Sequence, residues 1–125
     1  MTFFRLRIFS IFFALPLFCA TFAVAEERAR VGLIGAFSGP AQVYGTVCKN
    51  GLEMARKDFK LDSFDLVYED DEFSTAKTVA AFKKLVEVDK VKLVLSVGSG
   101  PSKAIAPLAL RYKVPLIAWA WMVFL

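Results

Sequence analysis

Residues 98 to 103 read Gly-Ser-Gly-Pro-Ser-Lys, directly after the strand-like run Val91-Lys-Leu-Val-Leu-Ser-Val. Two hydroxyls, two glycines and a proline at such a junction have two uses. They can form a turn and a helix start, with Gly100 as the N-cap and Pro101 as the first helical residue. Alternatively, the free N–H groups of that helix start, together with the Ser99 hydroxyl, can hold an anion. A carboxylate needs such donors and little else. Ser99, Gly100 and Ser102 are therefore the candidate binding residues of this loop. Covalent catalysis has less support, because the chain has no histidine to act as base and Lys103 is a poor substitute. A nucleotide site is also weakly supported. The G-x-G is not followed by the acidic residue about 20 positions on that would hold a ribose, and no G-K-[ST] occurs.

A second loop raises the same question. VGLIGAFSGPAQVYG, residues 31 to 45, is an apolar run that empties into Gly, Ser and Pro and restarts on Tyr44. Further on, Glu69-Asp70-Asp71-Glu72 admits three readings. A solvated loop is the commonest origin of such a run. A hard-cation site would need more converging oxygens than one run offers. A phospho-accepting aspartate pocket would place its paired acids after the first strand, whereas these follow the second.

The elements that must position these loops alternate along the chain. Val31–Ala36 is apolar without alternation, as in a strand covered on both faces. A helix is expected over Tyr44–Phe59, with Val47, Leu52 and Ala55 on one side and Gly51 marking close packing on a sheet. Asp65–Tyr68 is a short second strand. Ser74 caps a helix running to about Val88, whose apolar stripe is Val79, Phe82, Leu85 and Val86. Lys92–Val97 is a third strand, Pro101–Tyr112 a third helix, and Pro115–Ala118 opens a fourth strand. This order implies an α/β fold, a parallel sheet with helices on both faces. Ligands of such sheets sit beyond the carboxyl ends of the strands, where the strand order reverses.

The chain has 125 residues, and its first part differs from the rest. Arg5 and Arg7 precede an apolar stretch, Ile8–Phe22, then Ala23-Val24-Ala25, then Glu26 and Glu27. A basic start, an apolar middle and a small-x-small end make residues 1–25 a cleavable signal peptide, which implies secretion to the periplasm. Residues 26–125 are then the mature part, with a net charge of about +2, and no basic stripe with interleaved aromatics suggests nucleic acid. Cys48 is the one cysteine of that part, so it is buried, free or paired between chains. One cysteine and no histidine exclude a structural zinc site, and no cofactor is implied.

Taken together, VGLIGAFSGPAQVYG (31–45), NGLEMA (50–55), VYEDDEFSTAKTVAAFKKLV (67–86), DKVKLVLSVGSGPSKAIAP (89–107) and VPLIAWA (114–120) resemble a known family. It is that of the extracytoplasmic solute-binding proteins of ABC importers for branched-chain amino acids, with the type I periplasmic-binding fold. The resemblance implies a ligand-binding, non-enzymatic protein that captures a small-molecule amino acid and delivers it to an ABC permease in the membrane. It implies that Tyr44 lays its ring against the solute, that Ser99 and the adjacent helix start hold the α-carboxylate, and that Ala120 begins the contacts after the fourth strand.

Two departures accompany it. Where the family continues with a small residue and a hydroxyl, this chain has Trp121-Met122-Val123-Phe124-Leu125, an ending that resembles a frameshift or premature stop. Residues 26–125 would form only a partial first lobe, without the second lobe that meets the solute's ammonium. The expectation is a truncated substrate-binding component that does not bind an amino acid tightly alone. The alternative is a sensory or regulatory partner-binding module of the same fold.

Overall fold

In a computed structural model of the chain, residues 28–120 are described; the expected signal peptide and the segment Trp121–Leu125 lie outside them. Four strands and three helices alternate. They are β1 (Ala29–Gly35), α1 (Gln42–Asp58), β2 (Phe64–Asp70), α2 (Thr75–Glu87), β3 (Leu93–Val97), α3 (Ser99–Tyr112) and β4 (Leu116–Trp119). All three strand pairings are parallel, and the order across the sheet is β2-β1-β3-β4. After β2 the chain returns to the other side of β1, so the order reverses between β1 and β3. The expected α/β architecture and parallel sheet are present.

Successive strand residues point to opposite faces, which is why neighbouring apolar residues enter different cores. Ile34 and Val94 pack with Ala81, Phe82 and Leu85 of α2 and with Ile105 and Ala109 of α3. Leu33 and Val97 pack instead on Cys48 of α1, with Phe37, Leu52, Tyr68 and Leu95 around them. Two helices therefore cover one face and one covers the other, as the unalternating apolar strands require. Cys48 is a buried free thiol whose pKa is raised by that burial. Among the described residues, no helix is long and apolar enough to cross a membrane.

Two details of α1 differ from expectation. Val47 faces outward and is exposed, while Gly45, Cys48, Leu52 and Ala55 line the inner side. Leu52 and Ala55 are on the expected side, and Cys48, four residues before Leu52, takes the inner position expected for Val47. Gly51 does not mark close packing either, since a Cβ there would meet nothing within 4 Å. The close-packing glycine is Gly45, where a Cβ would lie 2.1 Å from the Ala36 carbonyl oxygen. In α3, Gly98 occupies the N-cap rather than Gly100, so the helix begins at Ser99, two residues before Pro101.

Candidate functional site

The carboxyl ends of the four strands bring the loops together along one edge of the sheet. β1 ends at Gly35, and the loop that follows leads to α1, pressed against Ala36 through Gly45. Tyr44 stands one residue before that contact, in the first turn of α1, with 48% of its surface exposed. Its place at the mouth of the first loop follows from the closeness that Gly45 permits.

β3 ends at Val97, and Gly98 turns the chain directly into α3. Its φ of 105° lies in a region that side chains disfavour, so glycine is required on conformational grounds. The Gly98 N–H donates to the Trp119 carbonyl at 2.9 Å, tying this turn to the end of β4 and to Ala120 beside it. Ala120 is half-buried. The Gly98 carbonyl accepts from the Ser102 N–H at 3.0 Å, closing the first turn of α3.

Ser99 is the first residue of that helix. Its Oγ is buried and has no hydrogen-bond partner among the described residues. Among the described residues no side chain caps α3, and Pro101 has no N–H, so the N–H groups of Ser99 and Gly100 are the open donors of the helix start there. A hydroxyl and two such donors in the first turn, at the positive end of a 14-residue helix, are a set of groups that could cradle one anionic group. Ser102 lies one turn further in and is turned into the protein, where its Oγ donates to Ser96 Oγ at 3.0 Å. Ser99, Gly100 and Ala120 thus share the adjoining ends of β3 and β4. Tyr44 belongs to the neighbouring end of β1, and the Ser102 hydroxyl points below the cradle.

The acidic run is solvated only in part: Asp70 and Glu72 are exposed, and Asp71 is not. Glu69 and Asp70 close β2, and Asp71 is completely buried. The Asp71 carboxylate accepts from the Phe73 N–H at 2.9 Å and from Thr78 Oγ1 at 2.8 Å, fixing the turn into α2. Asp70 accepts from the Phe37 N–H at 2.9 Å, Ser38 Oγ at 2.6 Å and the Glu72 N–H at 3.0 Å. Burial alone would raise the Asp70 pKa, but these donors outweigh it and hold the carboxyl below its usual range. With these oxygens committed to N–H and O–H donors, the pair is not arranged for a cation.

Phe73 was not anticipated as a site residue. Glu72 and Phe73 both have left-handed backbones, with φ of 47° and 61°. The Phe73 ring lies against Gly98, so close that a Cβ there would fall 2.6 Å from it. Gly98 is thus constrained twice, by backbone and by neighbour. The spacing of Asp71 to Ser74 and Thr78, an acid ahead of a helix start, is the one sequence signal for this turn. The Phe73–Gly98 contact crosses 25 residues and has none.

The sequence matches the periplasmic binding protein family over residues 28–123. No curated protein matches it. Among solved structures it resembles the isoleucine-bound substrate-binding protein of a branched-chain amino acid transporter from Streptococcus pneumoniae. The two share 25% identity with a TM-score of 0.71, over 77% of this chain and 30% of that one. An ABC transporter solute-binding protein from Rhodopseudomonas palustris, in complex with 3,4-dihydroxybenzoic acid, gives 25% identity and a TM-score of 0.69, over 74% and 27%. A possible leucine/isoleucine/valine-binding protein from Rhodopirellula baltica gives 26% and 0.65, over 73% and 27%. This chain therefore spans less than a third of the length of each of these structures. The parallel sheet and the match over all the described residues agree, and the chain belongs to the periplasmic binding protein family, a family of solute binders and not of enzymes.

Proposed function

We propose that this chain contributes the carboxylate-holding part of a solute site, in the substrate-binding component of an extracytoplasmic ABC importer. The solute is a branched-chain amino acid or a related small carboxylate, and a membrane permease receives it. The observation that carries this reading is the buried, unpartnered Ser99 hydroxyl beside the open N–H groups of Ser99 and Gly100. A buried hydroxyl without a partner is costly, and a bound carboxylate would satisfy it. Tyr44 supplies a ring to the rest of the solute, and Ala120 supplies backbone at the neighbouring strand end. The ligands of the related structures, isoleucine and 3,4-dihydroxybenzoic acid, share a carboxylate and differ in everything attached to it.

The cradle, taken alone, holds one end of such a molecule, so binding by this chain is expected to be weak. Titration with isoleucine and with 3,4-dihydroxybenzoate, followed by the amide resonances of Ser99 and Gly100, tests the proposal. Saturable shifts of these two amides that Ser99→Ala weakens about tenfold are the expected result, the order of a hydrogen bond to a charged group. Identical shifts in the wild-type and Ser99→Ala proteins, or none with either carboxylate, would refute it.

A further inference from the structure

Asp70 ends β2 opposite Gly35, the last residue of β1. From that position its carboxylate reaches two loops at once, accepting from Phe37 and Ser38 after β1 and from Glu72 after β2. The turn after β2 continues the chain of contacts. Asp71 holds the Phe73 N–H, and the Phe73 ring braces Gly98, whose own N–H is bonded to Trp119. Asp71 also donates its N–H to the Gly35 carbonyl at 3.2 Å, so the turn is anchored to β1 by backbone as well. One short segment, residues 70–73, thus touches all three of the other strand ends, directly or through Gly98.

We propose that Asp70 is a positioning residue: through the turn at 71–73 it couples the loop before Tyr44 to the helix start at Ser99, so that the two sides of the site keep one spacing. This rests on the reading of those loops as the solute site, but the coupling itself needs no solute to be observed. A charge-assisted acceptor shared by two loops is suited to the task, because such bonds are short and directional. Left-handed backbone at Glu72 and Phe73 is the cost of aiming the ring at Gly98, and the Asp70 and Asp71 bonds offset it.

Amide hydrogen exchange on the full chain tests the coupling. Asp70→Asn is expected to speed exchange at Phe37 and Glu72 by about tenfold, the loss of a hydrogen bond to a charged group. The deciding readout is Gly98, whose N–H bonds Trp119 and does not touch Asp70. Its exchange rises severalfold in Asp70→Asn if the loops are coupled, and Phe37 exchange rises in Phe73→Ala for the same reason. Val94, bonded to Pro115 within the sheet, stays unchanged as the reference. Ser38→Ala reproduces part of the effect, and Ser38→Thr, which keeps the hydroxyl, does not. Gly98 unchanged in Asp70→Asn would overturn the proposal, as would Val94 rising in step with Gly98, which would make the effect a global loss of stability. Failure of Ser99→Ala to weaken carboxylate binding would instead count against the solute site and leave the exchange result standing.

Discussion

On one face of the sheet α2 and α3 enclose Phe82, Leu85 and Ile105, each fully buried. On the other face α1 alone, through Cys48, covers Leu33 and Val97, and beyond it Ile117 and Trp119 remain 57% and 58% exposed. An apolar groove of about 150 Å³ runs between them, lined by Leu52, Leu95, Ile117 and Trp119 among others. The same strands supply both faces, so the difference lies in what covers them. Burial of apolar area is the dominant favourable contribution to folding, and a large aromatic such as Phe82 contributes most where it is fully enclosed. Stability is therefore concentrated on the α2/α3 face. The strand-end loops join the two faces, and they need ties of their own, which the Asp70 and Asp71 bonds provide.

The largest expected effect tests this imbalance directly. Phe82→Ala should lower stability by about 3–5 kcal/mol, the range for removing a fully buried aromatic. Leu52→Ala, on the half-covered side of α1, should cost about 1 kcal/mol, because less area leaves water there on folding. Urea unfolding followed by circular dichroism measures both. Equal losses would mean that the two faces contribute alike.

A second pair sharpens the comparison within a single helix. Gly45→Ala brings a methyl group against the Ala36 backbone, which has no flexible end to move aside, and should cost about 1–3 kcal/mol. Gly51→Ala on the outer side meets nothing and should stabilise by about 0.8 kcal/mol through helix propensity. Opposite shifts in the thermal midpoint are the expected outcome, and two shifts of the same sign would contradict the placement of α1.

The smallest effect concerns pH. Asp70 has a folded pKa below its unfolded value, so its contribution is present above the unfolded pKa and is lost as pH falls through the folded one. The Phe37 amide resonance should hold steady from neutral pH down through the ordinary carboxylate range and move only below it. In Asp70→Asn that acid step should vanish. A Phe37 resonance that titrates at the usual carboxylate pKa would show that the Ser38 and Phe37 donors do not hold the ionised form.

Much of this was legible in the residues. The β-α-β-α-β-α-β order followed from apolar runs and helical stripes, and the Gly-Ser-Gly-Pro junction marked the turn from β3 into α3. The inner face of α1 was legible at Leu52 and Ala55 but not at its first turns, where Cys48 and not the adjacent Val47 meets the sheet. Nor was the acidic run, whose polar composition resembles a solvated loop whether or not its oxygens are engaged. Ser99 and Ser102 resembled each other on the page. Only the position of Ser96 beneath α3 shows that the Ser102 hydroxyl is already bonded while that of Ser99 is not.

The sequence by itself determined the class of fold and the edge of the sheet on which the strand-end loops gather, because strand and helix periodicities are local and parallel connections place all strand ends together. The tertiary structure decided which polar groups at that edge are committed and which remain open. Asp70 meets Ser38, 32 positions away, because the β1–β2 register sets Asp70 opposite Gly35. Phe73 meets Gly98 because the turn after β2 bends toward the end of β3. Pairings of that kind depend on strand order and register, which emerge only when the whole sheet has formed.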